Sequence, residues 1–541
     1  MESRRERQPA TQAPPYRKRR QSADVAFAVI LLGLLVETLV LYGPTLRFSF
    51  LLDDSYDLSV ARQTSYQELL FRPLQGFSYY RPLTFTLYKF IHDLWGGTTP
   101  WHYHLLSILL HALNALLLAL LVRRIAGIVA AALSAWLFIA FPFAYQAVQI
   151  VCSLPHLLVT TALLGMLVLW ELGMEQSGPT RSLLRCTALT VALAAPGFHE
   201  TGVLSGTLLV VWAIWRSQAG WRRILQRDGS WLIPALFGNG VYLALWFWGF
   251  DKPDSRPVTL LDRLENLGFW AQAAAYPLTR QLTTLLDTGW LARHSWQAVI
   301  GTALIGGTVA LIIHALGTQL RLALGTLGFS LLTFLPALLF LPYHGYVEDG
   351  PRLLYPAAPA IATFWGLLPY AGWQWRRARW LGVSLGILVI VMTLTQSIVF
   401  LQRRHELGLL ASHAQEAVIA TARTNPGWPL VIVNAPAWLA LHHYEYPLGH
   451  FGMNAQPEYL GFDALLEARL GWRQPVQSLV IGPPPDQGWY TIGPHGRPGN
   501  HAERSALRLS GWVICDIQPP KLSQRRTPSR ARPQPSSFIA D

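Results

Sequence analysis

The chain is dominated by apolar runs that are about as long as the hydrocarbon core of a membrane is thick. About eleven such runs occur in the 541 residues. A transmembrane helix needs roughly 20 consecutive, mostly apolar residues, and its backbone has to satisfy its own hydrogen bonds. The sequence therefore predicts an all-α polytopic membrane bundle of about eleven helices. The runs lie near residues 25–46, 102–122, 125–144, 148–172, 184–197, 201–216, 231–250, 297–316, 323–342, 353–374 and 380–401.

The distribution of charge supports this prediction and indicates an orientation. Only 13% of the residues are charged, against roughly 25% in soluble domains. The net charge of +13 comes largely from arginine clusters between the apolar runs, which is typical of cytoplasmic loops rather than of a nucleic-acid surface. Eleven spans with the N-terminus inside place all these clusters inside except Arg403 and Arg404.

No Asn-x-Ser/Thr acceptor occurs, which favours a bacterial origin. We therefore predict a multi-pass protein of a bacterial plasma membrane, with a cytoplasmic N-terminus, an extracytoplasmic C-terminal part and no nucleic-acid partner. Its three cysteines indicate neither a disulfide framework nor a cysteine metal site.

Changes in composition predict the domain boundaries. A basic cytoplasmic tail covers residues 1–24, and a transmembrane domain covers 25–401 with outer loops at 47–101, 251–296 and 343–352. Strand patterns near 428–434, 476–481 and 511–515, with helical stretches between them, predict a small α/β domain over 402–520. The remaining residues, 521–541, are rich in Pro, Ser and Arg and are predicted to be disordered.

Two adjacent acids, Asp53 and Asp54, follow the first apolar run. The structural interpretation is a helix N-cap, because Asp accepts hydrogen bonds from the free amides of a helix. The functional interpretation is a general base, because a carboxylate shielded from water gains proton affinity. The position at the start of a long outer loop favours the functional interpretation.

The next candidates, Tyr80 and Arg81, lie in a Tyr-Arg-Pro-Leu motif. The guanidinium of Arg81 either extends toward lipid headgroups or binds a phosphate, and the sequence supports both equally. His104, His111 and Asn114 share one face of a predicted helix. Hydrogen bonding between helices is the favoured role for this face, ahead of a metal site.

Further acids and bases fall on the same predicted outer side. His199 and Glu200 lie where the fifth apolar run meets the sixth, and a third outer loop carries the other members, Glu348, Asp349 and Arg352. Each of these groups alone is more typical of a solvated loop. Because they come from distant segments and converge on one membrane face, we predict that they form a site.

These motifs, in this order, resemble the GT-C superfamily of integral-membrane glycosyltransferases, and most closely its protein O-mannosyltransferase-like branch. Stretches at 141–148, 197–201 and 349–356 add to the resemblance, which covers roughly residues 25–400. The chain departs from the family pattern at three positions: His199 replaces a Lys, Phe141 a His and Gln146 an acid.

The resemblance implies an inverting transfer of a sugar from a polyprenyl-phosphate donor to a hydroxyl of a protein, lipid or glycan acceptor, at the outer face of the membrane. It implies Asp53 as general base and Asp54 as a group that orients Asp53 or the acceptor. Arg81 or Arg352 would bind the leaving phosphate. The other implied members are Glu200, which would orient these groups, and the substrate-binding residues Tyr80, His104, His199, Glu348 and Asp349.

The superfamily includes members that use a divalent metal and members that do not, so the resemblance leaves this requirement open and implies no organic cofactor. Two other functions compete with the transferase. One is a transporter or flippase for lipid-linked sugars, although the sequence shows no repeated halves. The other is a catalytically inactive membrane scaffold, for which His199 and Gln146 are the best support.

Overall fold

The computed structural model describes residues 15–74, 79–96, 99–217, 221–248, 257–276, 295–316, 319–341, 351–433, 435, 438–440, 452–455, 462–479, 490–491 and 513–516. Parts of the predicted terminal tails and most of the third outer loop, including Glu348 and Asp349, lie outside these residues. The described chain is mainly helical. Its helices are α1 (Pro15–Tyr42), α2 (Asp54–Gln63), α3 (Tyr66–Phe71), α4 (Pro82–Trp95), α5 (Trp101–Ala126), α6 (Ile128–Ile139), α7 (Tyr145–Gln149), α8 (Leu154–Met174), α9 (Gly178–Ala194), α10 (Ser205–Ser217), α11 (Trp221–Trp248), α12 (Leu260–Ala274), α13 (Ser295–Leu316), α14 (Leu320–Phe340), α15 (Ala358–Gly366), α16 (Leu368–Gln374), α17 (Arg379–Thr424) and α18 (Asp463–Leu470).

Each predicted apolar run is helical over most of its described residues, and the prediction of an all-α polytopic membrane fold is confirmed. By length and composition, six helices of the described chain can cross a membrane, and a bent pair can add a seventh. The count of eleven spans stays a prediction, because α9, α10, α15 and α16 are shorter than a full span. The six are Val25–Arg47, Trp101–Ala126, Val151–Met174, Trp221–Trp248, Leu320–Phe340 and Arg379–Thr424.

The bent pair consists of α6 and the segment Pro142–Gln149, which meet at an angle of 48°. Pro142 has no amide hydrogen to continue α6, and the residue before a proline avoids the helical conformation. Phe141 accordingly has an extended backbone, with ψ of 120°. The bend turns α7 into the bundle, where all five of its residues are buried.

Helix α8 is the centre of the bundle. Of the most apolar window in its span, 89% is buried, against 17% for α11. Large apolar side chains on α1, α11 and α17 are exposed instead, as expected for helices that face lipid. The N-terminal end of α8 therefore lies inside protein, and this end carries part of the site described below.

The C-terminal part contains two small three-stranded sheets. In the first, β1 (Leu430–Val433) lies between β4 (Val476–Leu479) and β6 (Val513–Asp516), and both pairings are parallel. These strands lie in the three segments where the sequence predicts strands. In the second, β2 (Trp438–Ala440) lies between β3 (Gly452–Asn454) and β5 (Tyr490–Thr491), in antiparallel pairs. The boundaries 402–520 of the predicted domain stay a prediction.

The C-terminal part packs against the first loop. Glu467 on α18 accepts hydrogen bonds from Gln63 (2.7 Å) and Ser59 (3.3 Å) on α2. Arg469 donates to Ser49 at 3.0 Å and pairs with Glu416 at 2.7 Å. Since α2 follows the first span and α18 follows the last, both segments lie at the same end of the bundle, as an odd number of crossings requires.

Candidate active site

The first two acids lie at the end of a strained turn. Leu52 has a φ of 54°, and no other non-glycine residue of the described chain has a positive φ. In this conformation the Cβ of a leucine is crowded by its own backbone. Such strain persists only where surrounding contacts hold the residue in place. Here the Leu52 side chain packs against Ile150 and Cys152, and its amide donates to Ala455 at 3.3 Å.

Asp54 holds this turn against the bundle. Its carboxylate is fully buried and accepts hydrogen bonds from the amides of Leu51 (2.9 Å) and Cys152 (2.6 Å). Burial raises its pKa to about 7, although these amide bonds act in the opposite direction. Asp54 therefore connects the start of α2 to the start of the α8 span.

Asp53 occupies the N-cap position of α2, but its side chain forms no capping hydrogen bond. The structural interpretation of the pair, that Asp53 stabilises the helix as its cap, is therefore not what this geometry shows. The residue is half-buried, in contrast to Asp54. Of the two acids, Asp53 is the one that solvent or a substrate can reach.

A third acid, Asp57, lies one turn along α2 from Asp53, so the two share a helix face. Asp57 is buried, and burial raises its pKa well above the usual 3.8, with Asp53 and Asp54 acting in the same direction. The guanidinium groups of Arg81 and Arg352 oppose this increase. The electrostatic neighbours of Asp57 thus connect the acids of α2 with both predicted phosphate-binding arginines.

Arg81 is the N-cap residue of α4, and the following Pro82 is well suited to the first position of a helix. Its Nε and Nη2 donate to the carboxylate of Glu200 at 2.8–3.1 Å, and its guanidinium stacks 4.0 Å above the Tyr79 ring. Burial disfavours the charged form of Arg81, but Glu200, Tyr79 and Asp57 together outweigh this and raise its pKa above the ordinary value. Arg81 is therefore a stable cation that is already bound to Glu200.

His199 lies beside this ion pair. The amide of Thr201 donates to His199 Nδ1 at 3.1 Å, so the proton of the neutral ring is on Nε2. Nε2 lies 3.4 Å from the Glu200 carboxylate, and the ring is 4.2 Å from that of His156 on α8. Burial, and then Arg81 and Arg352, hold the pKa of His199 well below 6.5. A neutral imidazole therefore replaces the lysine of the family pattern.

Arg352 completes the cluster from the short helix Pro351–Ala357. Its amide donates to Gln146 Oε1 at 3.3 Å, which joins the segment to α7. Its side chain is half-buried, and its guanidinium forms no hydrogen bond or ion pair with the rest of the described chain. Among the described residues, Arg352 is thus better placed than Arg81 to bind an incoming anion.

Two other predicted substrate-binding residues stabilise the fold around the cluster. His104 is fully buried on α5, and its Nε2 donates to the carbonyl of Ser49 at 3.3 Å, behind the strained turn. The Tyr80 hydroxyl donates to the carbonyl of Leu70, and the Tyr80 carbonyl accepts from Tyr242 at 2.6 Å. Both contacts fix the loop that carries the acids and Arg81.

Sequence reasoning missed three members of the cluster, Asp57, Tyr79 and His156. Asp57 had a signal, since it lies four residues after Asp53 in a segment predicted to begin a loop. His156 had a weaker signal, as a lone histidine near the start of an apolar run. In the described part of the chain, no three His, Cys, Asp or Glu residues are arranged to hold a metal ion.

An apolar cavity begins one helical turn from the cluster. It lies between α5, α8, α10, α14 and α15, and its empty space, part of which is open to solvent, is about 660 Å³. Thr160 at its wall is one turn beyond His156 on α8, and Pro356 is one turn beyond Arg352. The cavity therefore continues the charged cluster toward the middle of the bundle. Other lining residues include Leu121, Leu164, Trp212, Phe329 and Ala360.

Two solved proteins resemble this chain in structure. The oligosaccharyltransferase of Archaeoglobus fulgidus, in its apo form, aligns with a TM-score of 0.39 and 10% identity, over 75% of this chain and 62% of that enzyme. ArnT from Cupriavidus metallidurans, bound to undecaprenyl phosphate, aligns with a TM-score of 0.38 and 16% identity, over 85% of each chain.

The chain spans less than two thirds of the archaeal enzyme, and a second structure of that enzyme, with Zn and sulfate, aligns over 60% of its length with a TM-score of 0.38. No family model matches the sequence. The comparison with curated proteins finds no match either. Superpositions this loose transfer no residue's role, so the roles proposed below come from the contacts of this chain.

Proposed function

We propose that this protein is a membrane glycosyltransferase that moves a sugar from a polyprenyl-phosphate donor to an acceptor hydroxyl at the outer face, with inversion. The observation that carries the proposal is a charged cluster whose chain segments continue, one helical turn further on, into the lining of an apolar cavity. Asp53, Arg81, Glu200 and Arg352 come from distant segments and meet around Asp57. A lipid-linked donor needs this combination, since its phosphate is charged and its tail is apolar.

The cavity is the proposed site of the polyprenyl tail. Burial of apolar tail carbons is worth about 0.8 kcal/mol per methylene. A tail in the cavity would place its phosphate near Arg352, whose guanidinium is not engaged with other described residues. Arg81 adds positive charge but keeps its bidentate contact with Glu200.

The chemistry we propose is a single displacement. Asp53 accepts the proton of the acceptor hydroxyl while the hydroxyl oxygen attacks the anomeric carbon. The bond from that carbon to the phosphate oxygen breaks on the opposite face, so the configuration inverts. Polyprenyl phosphate leaves with the bonding electrons, and Arg352 stabilises its growing negative charge.

The other residues position these groups. Asp54 fixes the turn that carries Asp53 through its bonds to Leu51 and Cys152. Glu200 orients Arg81, and neutral His199 lies beside Glu200, with its Nε2 atom 3.4 Å from the carboxylate. The acceptor class, whether protein, lipid or glycan, and the identity of the sugar are left to the assay.

The test is to incubate the purified protein with a panel of polyprenyl-phosphate sugars and to measure their consumption. We expect Asp53→Asn to lower the rate at least about a hundredfold, the usual loss on removal of a general base. Asp93→Asn is the matched control, because Asp93 is an exposed acid on α4 of the same loop. Unfolding curves establish that each variant is folded.

Three outcomes would change the proposed activity or the proposed general base. Consumption of no donor in the panel by the wild-type protein would count against the transferase. Near-normal transfer by Asp53→Asn would remove Asp53 from the role of base. A loss in Asp57→Asn with retention in Asp53→Asn would assign the base to Asp57 instead.

A further inference from the structure

A second charged cluster lies at the other end of the bundle, where α8 ends and α9 and α11 begin. We name it the distal arginine cluster, and it consists of Arg181, Arg185, Arg227 and Asp228. The fully buried carboxylate of Asp228 accepts from Arg181 at 2.9 Å and pairs with Arg227 at 2.7 Å. Arg185 approaches the same carboxylate only to 4.0 Å. Three guanidinium groups thus share one carboxylate.

Arg185 is the unusual member of the distal arginine cluster. Its side chain is 1% exposed, yet none of its three guanidinium nitrogens has a hydrogen-bond partner among the described residues. It stacks on the Trp170 ring at 3.2 Å, and Gly173 provides the room for this, because a Cβ there would lie 3.3 Å from Arg185 Nε. A buried guanidinium with so few hydrogen bonds and so little opposite charge around it makes the local electrostatic potential strongly positive.

The nearest other acid does not neutralise this charge. Glu171 accepts a bidentate contact from Arg216 at 2.9–3.2 Å and a third bond from Trp212 at 2.7 Å. The whole region therefore carries four arginines and two acids. An anion with several acceptor oxygens would supply the missing charge. Half-buried Arg181, at 34% exposure, and exposed Arg227, at 48%, present guanidinium groups that can bind it.

The surroundings place the distal arginine cluster at the depth of lipid headgroups. Large apolar side chains beside it are exposed, with Leu183 at 68%, Leu225 at 40% and Trp221 at 60%. Exposed apolar residues next to arginines are typical of the boundary between hydrocarbon and headgroups. A basic pocket between helices at this depth suits the phosphate of an anionic phospholipid.

We propose that the distal arginine cluster binds the phosphate group of an anionic phospholipid, at the membrane surface opposite the candidate active site. Arg181 and Arg227 donate to the phosphate oxygens, and buried Arg185 adds attraction from below. This site is independent of the proposed transfer reaction. If the proposal is right, anionic lipid stabilises the folded protein, because a ligand that binds only the folded state raises the stability of that state.

The experiment measures thermal unfolding of the full chain in detergent during titration with phosphatidylglycerol or with phosphatidylcholine. We expect phosphatidylglycerol to raise the unfolding midpoint more than phosphatidylcholine does. Arg181→Gln should weaken the apparent affinity about tenfold or more, the value of one charge-assisted contact. Arg185→Gln removes attraction but no direct contact, and it should change the affinity in the same direction. Because Arg185 is buried, Arg181→Gln is the variant that perturbs the core less.

Arg223→Gln is the matched control. Arg223 is exposed on α11, the helix that also carries Arg227, and its substitution removes the same positive charge. It should keep the wild-type response. The proposal fails if the two lipids act alike, or if Arg223→Gln weakens the response as much as Arg181→Gln does. Inorganic phosphate forms a separate arm: equal stabilisation by it would support an anion site that takes a soluble phosphate and would overturn its assignment to lipid.

Discussion

At the scale of single residues, adjacent Asp53 and Asp54 have different environments and therefore different expected roles. Asp54 is fully buried and accepts two backbone hydrogen bonds, whereas Asp53 is half-buried and caps nothing. A pair of acids at a helix start would usually be interpreted as one capping device. Here the structure separates the residue that holds the turn from the residue that is accessible.

This difference predicts that the same substitution, Asp to Asn, changes stability much more at Asp54 than at Asp53. Asp54→Asn removes an acceptor oxygen from one of two buried amides, so it should lower the free energy of unfolding by about 1–3 kcal/mol. Asp53→Asn should change it by less than about 0.5 kcal/mol, as surface substitutions do. Chemical unfolding of both variants measures the difference, and equal destabilisation would contradict the separation of roles.

The buried acids also predict how stability depends on pH. The folded protein keeps protons on Asp54, with a pKa of about 7, and on Asp57, with a raised pKa, at pH values where the unfolded chain releases them. The folded state then binds more protons, so stability falls as the pH rises above about 4, by up to about 1.4 kcal/mol per pH unit for each proton.

Asp57→Asn removes one of these groups and should make this decrease shallower. The measurement is the unfolding midpoint of the wild-type protein and the variant from pH 4.5 to 7.5. An unchanged slope would show that Asp57 does not hold a proton in the folded state.

The sequence predicted the residues at the centre of the site better than their partners. Asp53, Arg81, Glu200 and Arg352 stood out because charge next to apolar runs is rare and costly. The contact between Arg81 and Glu200 joins residues 119 positions apart, and nothing in a single sequence specifies such a pairing. For His104, too, the helix face gave no sign that the ring bonds to the Ser49 carbonyl, and its part in substrate binding stays a prediction.

At the scale of secondary-structure elements, the position of the acids depends on two supports for α2. On one side, Asp54 joins the turn to the start of the α8 span. On the other, Ala455 accepts from Leu52, and Glu467 binds the α2 side chains of Ser59 and Gln63. The C-terminal part therefore holds α2 in place, a role that its strand patterns did not indicate.

The helix lengths also show that local sequence patterns predict where helices form better than how far they extend. The apolar runs predicted where helices form, because hydrophobic length is a local property. The pattern did not predict that α17 continues for 46 residues, from the membrane to the C-terminal strands. At 1.5 Å per residue it is about 69 Å long, more than twice the hydrocarbon thickness.

The short helix Glu200–Leu204 yields a prediction about packing. A Cβ on Gly202 would lie 2.2 Å from the backbone carbon of Ala195, so Gly202→Ala must displace the segment that carries His199 and Glu200. We expect lower stability, by about 1–3 kcal/mol, and a loss of transfer. Gly240→Ala is the control, because nothing lies within 4 Å of the added carbon. Unfolding curves and the transfer assay check both variants, and equal behaviour would refute the close packing.

At the scale of the whole molecule, the two ends of the bundle differ in their chemistry. The end with the first loop and the C-terminal part carries acids and arginines in ion pairs and neutral histidines. The opposite end carries arginines in excess of acids. The arginines of the opposite end are among those from which the orientation was predicted, and that orientation stays a prediction.

The apolar cavity lies inside the bundle, one helical turn from the charged cluster, and this arrangement gives the last prediction. Ala360→Trp should fill part of the cavity and exclude donor tails, since Ala360 lines it. Loss of two buried methylene contacts costs about 1.6 kcal/mol, so kcat/KM for a long-chain donor should fall about tenfold or more. A short-chain donor, which does not reach the cavity, should be used as before.

Val129→Trp is the control, because Val129 is 61% exposed on α6 and a larger side chain there projects away from the cavity. Its kinetics with both donors should match those of the wild-type protein. An equal loss for long and short donors in Ala360→Trp would mean that the substitution disturbs the charged cluster itself. The dependence on chain length therefore distinguishes a tail-binding cavity from a packing defect, since only the former makes the loss grow with the length of the tail.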